Sequence, residues 1–154
     1  MIFLSLEVRY HIYDNLVTKF STSYNLLKKK PINKIGSVKK IKSRLFVKNI
    51  DKLNQGGLRT KGFFKHKSSK RPLITIITVV KNNEKYLEKT ILSVLKQNYK
   101  NLEYLIIDGN SKDSTKKIIK KYDKFIDYWV SKKDKGIYDA FNTGLSLSNG
   151  DYIG

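Results

Sequence analysis

The 154-residue chain predicts a three-layer α/β domain on a mostly parallel sheet, and three observations carry that prediction. Strand-like and helix-like periodicities alternate from Pro72 onward. The first strand candidate, Leu73 to Val80, is a nearly unbroken β-branched run, as in a parallel strand covered on both faces. The apolar run from Leu102 to Ile107 stops abruptly in Asp108-Gly109-Asn110-Ser111, directly before a Lys-rich helical pattern. A buried strand that delivers a carboxylate, a glycine and small polar residues to a helix mouth suits a phosphorylated ligand, because the first N–H groups of a helix lack intrahelical partners.

Each element follows in order. After the polar loop Lys81-Asn82-Asn83-Glu84, the residues Tyr86, Leu87, Ile91, Val94 and Leu95 recur at helical spacing, which predicts an amphipathic helix from Glu84 to Gln97. Leu102 to Ile107 is the second strand. Ser111 or Asn110 is placed to cap a second helix running through Tyr122, with Ile118, Ile119 and Tyr122 on one face. Phe125 to Ser131 supplies a third strand, and Ile137 to Leu147 a third helix, with Gly150 just past its end. Asp151 enters a fourth strand at Tyr152-Ile153. Strands alternating with helices in this way make a parallel sheet with helices on both faces.

Upstream of Pro72 the pattern weakens. Residues 1–54 carry scattered aromatics and isolated aliphatics among lysines, predicting weak structure with some short helix. Gln55 to Gly62 reads as a loop from its glycines, and Lys65 to Pro72 as a linker. The expected organisation is thus a basic extension and linker over residues 1–71, followed by an α/β domain over residues 72–154.

The charge follows the same division. Of the net +19, residues 1–71 hold +15, with 18 Lys and Arg against three acids, whereas residues 72–154 hold +4. Such a segment can lie on an anionic membrane surface, grip nucleic acid, or form a solvated Lys-rich extension. Lysine far outnumbers arginine, and no zinc finger, helix-turn-helix or stacking-aromatic pattern is present, all of which argue against nucleic acid. Zero cysteines remove disulfides, thiolate metal sites and a cysteine nucleophile, and His11 and His66 form no metal cluster. The N-terminal apolar stretch is cut short by Glu7 and Arg9. A cytoplasmic location is expected, with peripheral contact at the inner face of the cell membrane as its extension.

Ligands of open α/β sheets bind beyond the carboxyl ends of the strands. Val79 to Glu84, Asp108 to Ser111 and Lys132 to Asp139 fall there. Singly, Asp108 serves equally well as a helix cap, Asn82 as a turn residue and Asp139 as a solvated acid. Three such residues on one sheet edge favour a ligand. Asn142 is expected to hydrogen-bond locally, and Tyr138 and Phe141 to be core. No glycine follows the first strand as a dinucleotide fold requires, and no Walker A sequence occurs.

Four segments now carry a resemblance. They are Pro72 to Asn82 (Pro-Leu-Ile-Thr-Ile-Ile-Thr-Val-Val-Lys-Asn), Leu92 to Asn98 (Leu-Ser-Val-Leu-Lys-Gln-Asn), Glu103 to Thr115 (Glu-Tyr-Leu-Ile-Ile-Asp-Gly-Asn-Ser-Lys-Asp-Ser-Thr) and Asp134 to Asn142 (Asp-Lys-Gly-Ile-Tyr-Asp-Ala-Phe-Asn). In this order and spacing the chain resembles an inverting family 2 glycosyltransferase of the GT-A fold, over its nucleotide-sugar-binding half. Gly56 to Gly62 (Gly-Gly-Leu-Arg-Thr-Lys-Gly) with the following Phe63-Phe64-Lys65 is similar to the lead-in of a bacterial subgroup acting on surface polysaccharides.

The resemblance implies a nucleotide-diphosphate-sugar donor and a sugar transfer to a hydroxyl. Val79 and Asn82 would lie beside the nucleoside, with Glu84 behind them. Asp108 would face the nucleotide, with Gly109 and Ser111 following it. Lys135, Asp139 and Asn142 would line the sugar-phosphate side. Many family members carry a second aspartate, which reads the base, where this chain has Gly109. The subgroup often has Glu at Lys132 and Lys at Thr143. The resemblance also implies a divalent cation, Mn²⁺ or Mg²⁺, held by an Asp-x-Asp or Asp-Asp element after the fourth strand, and a general-base aspartate beyond it. Neither lies within these residues, so no metal ligand and no catalytic residue is assigned, and Asp151 stands at the wrong end of its strand to substitute. The expectation is a fragment that holds a donor without turning it over. The alternative is a basic module for a membrane surface or nucleic acid on an α/β scaffold.

Overall fold

The computed structural model describes residues 26–28, 45–68 and 70–154. Most of the stretch expected to be weakly structured, with much of its charge, lies outside these residues. Seven strands and three α-helices are present among those described: β1 Leu26–Leu27, β2 Gln55–Gly56, β3 Phe64–Lys65, β4 Ile74–Val80, α1 Glu84–Leu95, β5 Leu102–Asp108, α2 Thr115–Lys121, β6 Tyr128–Ser131, α3 Ile137–Leu147 and β7 Tyr152–Ile153. The main sheet has the order β2-β6-β5-β4-β7. Its last four strands are mutually parallel and β2 runs antiparallel on the outer edge. The mostly parallel three-layer α/β architecture read from the alternation of periods is the one observed.

Helices cover both faces because the side chains of β5 alternate between two cores. Tyr104 and Ile106 pack with Leu87, Ile91, Val94 and Leu95 of α1 and with Ile119 of α2. Leu105 and Ile107 face the other way, onto Ala140 and Leu147 of α3. All seven residues of β5 are buried, whereas β4 is only partly covered. The central position belongs to the second strand of the sequence pattern, since β7 pairs with β4 only at Ile74 and Thr75.

Three local readings change. Gln55 to Gly62 is not a plain loop: it provides β2, paired to Val130 and Trp129 of β6, and a 3₁₀ turn over Leu58–Lys61. Gly56 is there for space, since a Cβ on it would lie 2.5 Å from Trp129 Nε1. Lys65, expected to open a linker, lies in β3, where Phe64–Lys65 pairs with Leu26–Leu27. Phe46, Val47 and Ile50 pack against the α3-side core. The third strand is shorter than expected because Asp123–Phe125 winds into a 3₁₀ turn.

Tyr138 and Phe141 are not core. Tyr138 is 82% exposed and Phe141 39%, while α3 buries Ala140, Gly144 and Leu147. Small residues face the sheet because the helix sits close: a Cβ on Gly144 would come within 2.5 Å of Ile77 Cγ2. The bulky side of α3 is thereby turned outward, which a periodicity rule favouring large residues inside reads in reverse. Tyr86 of α1, likewise expected on the buried face, is 52% exposed.

Candidate functional site

The carboxyl edge of the sheet is set by register. Val80 pairs with Asp108 and Asp108 with Ser131. The ladder continues one step, from Gly109 N–H to the Val80 carbonyl and from Lys132 N–H to the Asp108 carbonyl, both 2.9 Å. Lys81, Gly109 and Lys132 therefore stand abreast where the three strands end.

Asp108 anchors this edge from within. It is fully buried, and its carboxylate accepts hydrogen bonds from the hydroxyls of Ser111 and Ser131, each 2.5 Å. The Ser111 oxygen in turn accepts the Asn82 N–H at 2.7 Å. Ser111 thus serves the strand-end acid rather than the cap expected of it, and α2 starts only at Thr115.

The two loops beyond β4 and β5 then stitch each other. Asn82 Oδ1 accepts the Lys112 N–H at 2.8 Å, and Glu84 Oε2 accepts that of Ser114 at 2.7 Å. In the opposite direction Asn83 N–H donates to Thr115 Oγ1 at 2.9 Å and Glu84 N–H to Asp113 Oδ2 at 3.1 Å. The Thr115 hydroxyl beside it holds the Asp113 carboxyl below the usual carboxylate range. Asn82 and Asn110 adopt left-handed backbone, φ 47° and 60°, at the two loop tips. Asparagine tolerates that region better than other non-glycine residues. Of the N–H groups at the helix mouth, those of Lys112 and Ser114 are thereby taken by side chains of the facing loop, and that of Thr115 by Asp113.

What remains open is charged. Gly109 is flanked by the Lys81 stem and the Asp134 carboxylate: a Cβ built there would lie 2.6 Å from Asp134 Oδ2 and 3.1 Å from Lys81 Cδ. Asp134 Oδ1 accepts the Gly136 N–H at 3.1 Å. Lys135 is exposed, and its N–H donates to Asp139 Oδ2 at 3.2 Å. Asn142 is exposed on α3, and Val79 is an interior strand residue packed against the α3-side core. Of the residues expected from sequence, Asn82, Glu84, Asp108 and Ser111 form one bonded unit, and Lys135 and Asp139 a second. Lys81, Asp134 and Ser131 were not singled out. Two of them sit inside motif segments, and the signal for both was the bare glycine they surround.

A divalent cation does not fit these residues. Among those described, no three His, Asp or Glu side chains converge to hold one, and both oxygens of Asp108 already accept hydroxyl protons.

The family model for glycosyl transferase family 2 matches residues 75–154. This chain belongs to glycosyl transferase family 2. An uncharacterised glycosyltransferase of Mycobacterium tuberculosis is 34% identical over 83 residues, covering 53% of this chain and 32% of the relative. A dolichyl N-acetyl-α-D-glucosaminyl phosphate 3-β-D-2,3-diacetamido-2,3-dideoxy-β-D-glucuronosyltransferase of Methanococcus voltae is 38% identical over 87 residues, covering 52% of this chain and 27% of the relative. The chain therefore spans about a third or less of the length of these family members. A mannosyltransferase from Pyrobaculum calidifontis, solved with GDP-Man and Mn²⁺, superposes with a TM-score of 0.51 at 22% identity over 56% of this chain and 27% of its own. The fold is that of the GT-A glycosyltransferases.

Proposed function

We propose that residues 72–154 are the donor-binding part of an inverting family 2 glycosyltransferase, which holds a nucleotide-diphosphate sugar at the carboxyl edge of the sheet. The complete enzyme would pass the sugar to a hydroxyl acceptor in bacterial cell-surface polysaccharide assembly. The observation that carries this is the construction of that edge. Loops after β4 and β5 are locked by reciprocal bonds around buried Asp108, while Lys81, Asp134 and Lys135 are left to face a ligand. Rigid backbone beside free charge is what a phosphate ester with a polar base requires. The two relatives named as glycosyltransferases and the mannosyltransferase described with GDP-Man support the donor class.

Within this scheme Asn82 and Glu84 hold the nucleoside-side loops in place, and Asp108 and Ser111 position Asn82. Lys135 offers its ammonium to the diphosphate, with Asp139 fixing the Lys135 backbone and Asn142 adjacent on α3. A divalent cation, Mn²⁺ or Mg²⁺, would neutralise charge on the leaving diphosphate, and its ligands are not among the described residues. Isothermal calorimetry with uridine, guanosine, cytidine and adenosine diphosphates tests the proposal. At least one should bind, with Lys135→Ala weakening it several-fold. Heat traces indistinguishable from dilution for all four would end it.

A second proposal concerns location. The +15 balance of residues 1–71 suits a peripheral contact with anionic lipid at the inner membrane face. No helix among the described residues is long and apolar enough to cross a membrane. Sedimentation with phosphatidylserine-containing vesicles should show binding that disappears at high salt, and equal recovery with neutral vesicles would remove the idea.

A further inference from the structure

The positive charge of the α/β domain is gathered on one of its two helical layers. Residues 84–100 and 111–124, which supply α1, α2 and their ends, hold ten lysines against four acids, a balance of +6. The remainder of residues 72–154 holds four lysines against six acids, a balance of −2. α1 and α2 cover the same face of the sheet and are joined where they meet: Glu88 accepts from Lys121 Nζ at 2.6 Å and from the Tyr122 hydroxyl at 2.7 Å.

Helical periodicity turns the lysines outward. α1 buries Leu87, Ile91, Val94 and Leu95, and at about 3.6 residues per turn Lys85, Lys89 and Lys96 fall on the opposite side, all exposed. α2 buries Thr115 and Ile119 and leaves Lys117 and Lys120 exposed. The four acids of the layer are already engaged. Glu88 holds Lys121 and Tyr122, Glu84 takes the Ser114 N–H, Asp113 takes those of Glu84 and Thr115, and Asp123 holds Lys61, the Trp129 indole and the Gly57 N–H. Lys85, Lys89, Lys96, Lys117 and Lys120 therefore have no acidic partner among the described residues. Aromatic rings stand among the lysines: Lys85 Nζ is 5.0 Å from the centre of the Tyr86 ring, and Lys124 Nζ is 5.1 Å from that of Phe125.

Five uncompensated ammonium groups spread over one two-helix face suit a partner whose negative charge is also spread over an area. A bilayer with anionic headgroups is such a partner, and each lysine near its surface raises affinity about fivefold. Lysine stems and the exposed ring of Tyr86 fit the headgroup boundary, where amphipathic side chains keep an apolar body toward lipid and a polar tip in water. A nucleic acid is less well met, because the face carries no arginine and the rings on which bases would stack have ammonium groups beside them.

We propose that the α1–α2 layer is a docking face for an anionic phospholipid surface, with Lys85, Lys89, Lys96, Lys117 and Lys120 against the headgroups. Helices of an α/β layer lie flat on the sheet, so the carboxyl edge then opens along the bilayer plane. This does not rest on the contact suggested for residues 1–71, and the test separates the two.

The full chain is sedimented with phosphatidylcholine vesicles that contain or lack phosphatidylserine. Lys85→Gln, Lys89→Gln, Lys117→Gln and Lys120→Gln combined retain good helix formers and keep residues 1–71 intact. Together they should lower affinity for the phosphatidylserine vesicles by at least about tenfold. The chain has no cysteine, so single labelling gives the orientation. A fluorophore at Ser93→Cys reports the exposed side of α1, and one at Phe141→Cys reports α3 on the other face of the sheet. Brominated acyl chains should quench the first and not the second. Circular dichroism melting shows that each variant is folded. Full affinity in the combined variant, or equal quenching of the two probes, overturns the docking face while leaving contact by residues 1–71 standing. A variant that loses affinity for a duplex oligonucleotide but not for vesicles overturns it in favour of nucleic acid. Absence of salt-sensitive vesicle binding by the native chain overturns both membrane proposals.

Discussion

The two ends of β5 carry one acid each, and the protein treats them in opposite ways. Glu103, near the amino end, accepts from Arg59 Nη2 at 2.6 Å, from the Thr75 hydroxyl at 2.6 Å and from the Asn149 N–H at 2.8 Å. Arg59 and Glu103 are 2% and 1% exposed, and Arg59 also donates to the carbonyls of Leu45 and Leu147. Beside them Lys65 and Asp127 are buried as well. At the carboxyl end Asp108 is met by neutral donors, the hydroxyls of Ser111 and Ser131 and the Ser111 N–H, and the cations nearby stay open. The amino end therefore joins residues 45–65 to the sheet by internally neutralised charge. The carboxyl end uses neutral donors to hold its acid, which leaves Lys81 and Asp134 available to a ligand. Burial with full pairing builds structure, and partial pairing at an open edge builds a site.

That contrast breaks most severely at Glu103. Glu103→Ala leaves Arg59 buried without its partner, and removing one member of a buried pair costs about 3–5 kcal/mol. Urea unfolding should show that loss, and whatever fraction remains folded should bind nucleotide with unchanged affinity. An unaltered unfolding midpoint would mean that the amino-end cluster does not hold the fold.

Asp108→Ala should come next, at about 2 kcal/mol for the two hydroxyl bonds to a charged acceptor. Unlike the first variant, it should also weaken nucleotide binding several-fold, because Ser111 no longer fixes Asn82. A variant that loses stability alone would make both ends of β5 structural. Thr75→Val, deleting a single bond to Glu103, should cost about 1 kcal/mol and leave affinity alone.

The amino end also predicts a pH dependence. Burial pushes Asp127 from its ordinary 3.8 up to about 7, against the attraction of Lys65. Burial pushes Lys65 from 10.5 down to about 8, against the attraction of Asp127 and Glu103. Between about 4 and 7 the folded chain keeps the Asp127 proton that the unfolded chain has released, so this contribution to stability falls as pH rises. From about 8 to 10.5 the folded chain has shed the Lys65 proton that the unfolded chain retains, so stability recovers as pH rises. Thermal melts should show the native chain losing ground relative to Asp127→Asn as pH is raised from 4 to 7. A constant difference would place Asp127 in water rather than in the core.

The smallest effect belongs to a pair that sits at neither end. Lys121 and Glu88 join α2 to α1 at 2.6 Å on the surface, where water screens them. Lys121→Ala should leave both the melting midpoint and nucleotide affinity unchanged.

Much of this was legible in advance, and the failures share a cause. The strands β4, β5 and β6, the three helices and their parallel arrangement followed from local periodicity, since burying an apolar stripe is a requirement each segment meets by itself. Asn82, Glu84, Asp108 and Ser111 were placed on one edge from the same pattern. Their roles were not: a hydrogen bond such as Ser114 N–H to Glu84 crosses 30 residues of chain, and nothing local announces it. Tyr138 and Phe141 were misplaced because the closeness of α3 to β4 depends on Gly144 meeting Ile77 across the layers. Gln55–Gly56 was read as loop because two residues running into a glycine pair carry no strand period, and only β6 makes them a strand.

The sequence by itself determined the alternation of strands and helices, the strand-end carboxylate and the family, all of which are encoded in contiguous segments with their own periodicity. The tertiary structure decided which charges are consumed and which are free. It brought Arg59 across 44 residues to Glu103 and folded Asp134 back onto Gly109. Whether an acid braces the fold or meets a ligand depends on which donors surround it in space, and those donors come from distant parts of the chain.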